Sequence, residues 1–224
     1  MYDSKVSFTL DTICPWTFIA KKRLDQALEQ VRASEAGSKC KFTLHFEPYQ
    51  LHPDFVETEN KDAWYLQNKH MGNPEAQKIF QEHMNGLVEP LGTRFNFGGD
   101  MGNTVHAHRV IQHFQEKKGP EVANKLIDGL YRRYFTEAKH PAADSTLIGA
   151  CVEAGIDEAE AKKFVEAKDE GLRDVKSKIR MISMDVDAVP VVIVEGKRRD
   201  ITLTGAKEVA DYVKTLETIA KESG

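Results

Sequence analysis

The chain has 224 residues, 41% of them hydrophobic and 29% charged, with a formal net charge of -4. That length buries a substantial core, as one large domain or a small domain carrying an insertion, and the composition excludes a disordered chain. The near balance of charge argues against a nucleic-acid partner, and the longest apolar run, Ala188 to Val194, is too short to cross a bilayer.

Lys5 to Leu10 alternates Val6, Phe8 and Leu10 with polar residues, the period-two pattern of a strand. A helix is expected next, with Pro15 at its first position, Ile19, Arg23 and Leu24 to Leu28 continuing a face, and Gly37 ending the region. Phe42, Leu44 and Phe46 then alternate with Thr43, His45 and Glu47 as a second strand, stopped by Pro48 and Pro53.

Beyond Pro53 the spacing is helical for more than half of the chain, punctuated by Gly72-Asn73-Pro74, Gly98-Gly99, Gly119-Pro120 and His140-Pro141. Two stretches read as amphipathic helices, one from Leu126 to Phe135 and one carrying Phe164, Val165, Leu172, Val175, Ile179 and Ile182. Val189 to Val194 and Ile201 to Leu203 form a hairpin around Gly196-Lys197, and a last helix after Gly205 carries Val209, Tyr212, Val213, Leu216 and Ile219. This order places a helical block, 56–185, inside a small discontinuous α/β domain made of 1–55 and 186–224.

Cys14, Cys40 and Cys151 are odd in number and widely spaced, unlike a secreted disulfide framework, and no cysteine or histidine pair has structural-zinc spacing. No metal is expected. The N-terminus lacks a basic region followed by an apolar stretch, so a cytoplasmic location is expected.

The chemistry concentrates in Asp11-Thr12-Ile13-Cys14-Pro15-Trp16-Thr17, where the first strand passes to the first helix. Cys14 would cap that helix, where free backbone N–H groups and the helix dipole favour a thiolate. Thr17, one turn on, is placed to donate its hydroxyl to the sulfur. The opposite reading of Cys14 is an inert buried small residue.

These residues, with Phe18 to Leu24, Asn103 to Arg109, Ala188-Val189-Pro190 and Leu203 to Ala206, resemble DsbA-like thioredoxin-fold proteins of the FrnE type over nearly the whole chain. The resemblance implies a thioredoxin-like α/β fold with an inserted all-helical domain. It also implies a thiol-disulfide oxidoreductase with Cys14 as nucleophile and a cis Pro190 facing it, so that Val189 offers its backbone to a thiol or peptide substrate. Dithiol members carry a second cysteine where this chain has Thr17, so Cys14 cannot close a disulfide within its own motif. A mixed disulfide or thioether must then be resolved by another thiol, with glutathione as co-substrate; Cys40 and Cys151 read better as packed structural residues. The plan is also similar to kappa-class glutathione transferases and 2-hydroxychromene-2-carboxylate isomerases, which place serine at the Cys14 position. That likeness supplies a second reading, conjugation or isomerisation of a small electrophilic or aromatic substrate, and makes a homodimer conceivable. A thiol- or peptide-binding module without catalysis is the third.

Around the site, Pro15 and Trp16 are expected to line the cleft, Trp16 as an apolar rim or as an ordinary core anchor. Asn103 reads either as a helix cap or, by the resemblance, as an amide placed near substrate. Lys21-Lys22-Arg23 reads as a solvated helix face, and Gly196 to Asp200 as a solvated turn. His106 shares a face with Arg109 while His108 points elsewhere, and none of the three is assigned a role as a base.

Overall fold

Alternation of Ser4, Val6 and Phe8 with half-exposed neighbours draws out the first strand, β1 (Tyr2–Leu10), in a computed structural model that describes residues 1–56 and 58–223. Pro15 starts α1 (Pro15–Arg32), and Pro74 and Pro120 start two later helices, because proline's missing N–H is no loss in a first turn. A short α2 (Glu35–Lys39) leads into β2 (Cys40–Pro48), which lies parallel to β1. Gly37 does not end the first helix as expected but sits inside α2. A Cβ there would lie 2.7 Å from the carbonyl oxygens of Val31 and Arg32, so its role is close approach to the end of α1.

The helical block follows: β3 (Glu59–Asn60), α3 (Lys61–Asn68), α4 (Pro74–Val88), β4 (Asp100–Met101), α5 (Val105–Lys118), α6 (Pro120–Phe135), α7 (Asp144–Glu153), α8 (Glu158–Glu166) and α9 (Leu172–Ile182). β3 and β4 pair antiparallel and are two residues long, too short for any periodic signal. The stretch from Phe164 to Ile182 is two helices, not one. Gly171 adopts a left-handed φ of 71°, and the carbonyls left open at this break are collected by a buried arginine described below.

The chain closes with β5 (Val191–Val194), β6 (Ile201–Thr204) and α10 (Val209–Ser223). The sheet order is β2-β1-β5-β6, with β5 antiparallel to β1 and β6 antiparallel to β5. This is the thioredoxin-like arrangement with helices between β2 and β5. The open edge of β2 is guarded: Gln115 on α5 accepts from Phe46 N at 2.8 Å and donates to Phe46 O at 3.1 Å, its amide standing in for another strand.

The two parts of the chain share one hydrophobic core. Phe18 of α1 packs edge-on against Phe95, Tyr131 and Phe135 at 5.0, 5.5 and 5.4 Å between centroids. Lys21 corrects the expectation of a solvated basic face. It is fully buried on α1, its ammonium bonded to Asp25 at 2.5 Å and Asp128 of α6 at 3.2 Å, while Lys22 also reaches Asp128 and Arg23 reaches Glu208. The run fastens α1 to its neighbours. In the Gly196–Asp200 turn, Lys197 to Asp200 are exposed and Gly196 is half-buried, with Arg199 paired to Glu222.

Candidate active site

β1 ends at Leu10, and a tight turn, closed by Cys14 N–H donating to Asp11 O at 3.1 Å, reverses the chain into α1. Cys14 occupies the N-cap with extended backbone (φ -85°, ψ 117°), its carbonyl accepting from Thr17 N at 3.1 Å and Phe18 N at 3.2 Å. The whole turn from Asp11 to Cys14 is buried, and Cys14 itself is 4% exposed.

That burial decides the state of the thiol. Its pKa is pushed up from an ordinary 9.0 to about 11, first by desolvation. The Thr17 backbone N–H opposes this most, the Asp11 carboxylate adds to the rise, and the Trp16 N–H and then the Thr17 hydroxyl lower it slightly. The helix N-terminus acts as the sequence suggests, but burial outweighs it, and the activated thiolate expected from position alone is replaced by a protonated thiol. The thiol faces Val189 O, to which Sγ–H donates at 3.9 Å, and the Val189–Pro190 peptide bond is cis.

Thr17 is fully buried, with Oγ1 bonded to the carbonyls of Asp11 at 2.8 Å and Cys14 at 2.7 Å, and it accepts from Tyr131 Oη at 2.9 Å. Its single proton is shared between carbonyls, which is why its hydroxyl contributes least to the sulfur. Trp16 is 40% exposed and stands at the surface beside the cysteine, not in the core. Pro15 lines a small, largely aromatic pocket of about 20 Å³ with Lys61, Tyr65, Phe95, Tyr134 and Phe135.

Asn103 bonds to protein on every side. Its Nδ2 donates to Pro53 O at 3.0 Å and Phe55 O at 3.1 Å, and its Oδ1 accepts from Gln50 Nε2 at 2.7 Å and Val105 N at 2.9 Å. It therefore clamps the segment after β2 to the start of α5. Arg109 is buried and serves the break between α8 and α9: its guanidinium donates to Phe164 O, Val165 O, Ala167 O and Glu170 O at 2.9 to 3.1 Å.

Two site residues escaped sequence reasoning. His108 does point away from the face that His106 shares with Arg109, and what it meets is the cysteine turn: its Nε2 lies 3.3 Å from Asp11 Oδ1, both residues being buried, and Asp11 Oδ2 accepts from Leu51 N at 2.7 Å. Asp11 lies three residues before the cysteine, but nothing in its spacing identified a partner 97 residues away. Cys40 opens β2 opposite Tyr2, so the length of β1 separates it from Cys14 by about 25 Å. Cys151 is buried on α7, its thiol pushed up to about 12 by burial. All three cysteines are free.

Among the described residues no group of three or more metal-ligating side chains converges, and no helix is long and apolar enough to cross a membrane.

A family model described as a DSBA-like thioredoxin domain matches residues 5–217. Comparison with curated proteins returned no match. Among solved structures, a probable DsbA oxidoreductase from Streptomyces coelicolor superposes with a TM-score of 0.81 at 19% identity, covering 99% of this chain and 92% of that one. A 2-hydroxychromene-2-carboxylate isomerase gives 0.61 at 14% identity, over 96% and 93% of the two chains. The cytosolic disulfide reductase DsbM of Pseudomonas aeruginosa, in a structure with GSH, gives 0.59 at 13% identity, over 97% and 96%. At these identities the likeness carries the fold, while the family match spans almost the entire sequence. The chain belongs to the DSBA-like thioredoxin-domain family.

Proposed function

We propose that the protein is a thiol-disulfide oxidoreductase that works through one thiol, Cys14, with glutathione as co-substrate. The observation that carries this reading is the juxtaposition of Cys14 Sγ, at the start of α1, with the carbonyl of Val189. A substrate disulfide approaching Val189 meets the sulfur there, and Trp16 offers an exposed apolar face beside it. Deprotonated Cys14 attacks one sulfur of R–S–S–R′, forming Cys14–S–S–R and releasing R′S⁻, which takes up a proton. A glutathione thiolate then attacks the mixed disulfide, releasing the Cys14 thiolate and forming glutathionyl-S–S–R. One cycle therefore exchanges the disulfide, R′ leaving as a thiol and R as its glutathione mixed disulfide, as a site with Thr17 in place of a second cysteine requires; a second glutathione in a further cycle frees R and forms glutathione disulfide.

The DsbM neighbour, a disulfide reductase with GSH in its structure, supports the glutathione link and a cytoplasmic setting.

Mixing the protein with a glutathione mixed disulfide and free glutathione should give turnover that is lost in Cys14→Ser, with one glutathione adduct on Cys14 by mass analysis. A wild-type protein that neither turns over nor accepts glutathione on Cys14 would sink this reading and leave a thiol- or peptide-binding module.

A further inference from the structure

Besides the Thr17 hydroxyl, three restraints meet on Asp11. Oδ1 lies against His108 Nε2 at 3.3 Å, Oδ2 takes the Leu51 N–H at 2.7 Å, and Asp11 O takes the Cys14 N–H at 3.1 Å. The side chain thus joins the cysteine turn to α5 and to the segment after β2. Asn103, five residues before His108 on the chain, clamps the same segment through Pro53 O and Phe55 O. That segment forms the wall of a groove of about 520 Å³ lined by Leu51, His52, Phe55, Val56 and Trp64.

We propose that Asp11 and His108 are a buried positioning pair that seats the 50–55 segment beside Cys14 and sets how readily the thiol gives up its proton. Burying a carboxylate is tolerated only with partners, and His108 and the Leu51 amide are those partners. The same negative charge opposes formation of a second one on the sulfur. Seating the groove wall and keeping the empty site's thiol protonated are therefore one arrangement, and displacement of the wall by a substrate would alter both.

The other groups facing Asp11 do not cancel its charge. Tyr49 at the end of β2, Tyr65 on α3, and Tyr131 and Tyr134 on α6 are held in the neutral form, chiefly by burial. His52 on the groove wall is biased toward neutral by burial as well.

This inference rests on Cys14 being the reactive thiol, and the test separates the two. The pH dependence of Cys14 alkylation, followed peptide by peptide, and hydrogen exchange at the Leu51 amide are measured in four proteins. Asp11→Asn should move the alkylation midpoint down by about one pH unit, so that modification at neutral pH is about tenfold faster. His108→Leu, which removes the donor, should raise exchange at Leu51 and displace the profile. His108→Gln, which can still donate an N–H to Asp11, should restore protection and most of the profile. An Asp11→Asn profile superimposed on wild type, or a His108→Leu protein with wild-type protection at Leu51, would overturn the positioning pair. A wild-type Cys14 that resists alkylation at every pH would instead defeat the proposed function, while Leu51 exchange would still report on the pair.

Discussion

At Cys14 the start of a helix and the burial of a sulfur act in opposite directions, and burial wins, with the thiol pushed up to about 11. The consequence for stability has a definite sign. Between the ordinary value of 9.0 and about 11 the folded protein holds a proton that the unfolded chain has released, so stability falls as pH rises through that window. Two units correspond to about 3 kcal/mol. Chemical denaturation at pH 8 and pH 11 should show wild type losing up to about 3 kcal/mol more than Cys14→Ala over the same interval. Parallel losses in the two proteins would mean that the sulfur is far better solvated than its 4% exposure implies. The cysteine and its helix position were legible in the motif, while the facing Val189 followed only from the family resemblance. The burial that reverses its acidity was not, because desolvation comes from residues distant in sequence.

Helix α5 is the element that brings the distant parts of the site together. Its N-terminal half presents Asn103 just before the helix to the 50–55 segment, His108 to Asp11 and Arg109 to the α8–α9 break, while Gln112 and Gln115 bond to Phe46 of β2. Among the described residues Arg109 has no carboxylate within bonding distance; its two terminal nitrogens answer carbonyls around the end of α8, while Nε donates to His106 Nδ1. Replacing it with Leu would bury Phe164 O, Val165 O and Glu170 O without this donor, Ala167 O keeping the Glu170 N–H, and should lower unfolding stability by about 3 kcal/mol. Arg109→Lys should recover only part of that, because a single ammonium cannot reproduce the fork. Urea denaturation of the two variants checks this, and a loss under about 1 kcal/mol in Arg109→Leu would show that water replaces the guanidinium freely. Sequence spacing was enough to mark this helix and its neighbours, since apolar residues recur at helical steps. It merged α8 and α9 because the apolar spacing continues across Gly171, and the force that separates them, the pull of Arg109 on the carbonyls, acts from 55 to 61 residues away. Lys21 was misread for a related reason: a lysine on a helix face is ordinarily solvated, and only the approach of Asp128 from α6 makes it buried and paired.

At the scale of the whole molecule, the helical block interrupts the thioredoxin-like part in sequence but completes its core in space. Phe18 reaches from α1 into an aromatic cluster supplied entirely by the block, and Lys21 to Asp128 bridges the same boundary. Neither part keeps its apolar surface covered without the other, so the chain should unfold as one cooperative unit even though its sequence reads as two. The two tryptophans allow a direct test, because Trp16 lies on α1 and Trp64 on α3. In Trp16→Phe and Trp64→Phe variants, the remaining indole reports from one part at a time, and the two fluorescence transitions in urea should share a midpoint and slope once each variant's own stability shift is measured by circular dichroism. Phe18→Ala, introduced into each single-tryptophan protein, should cost about 3 to 5 kcal/mol and move both transitions together. A Trp64 transition that precedes loss of the Trp16 signal, or a Phe18→Ala effect confined to one indole, would mean that the helical block opens on its own and that the shared aromatic core is not what couples it to the sheet.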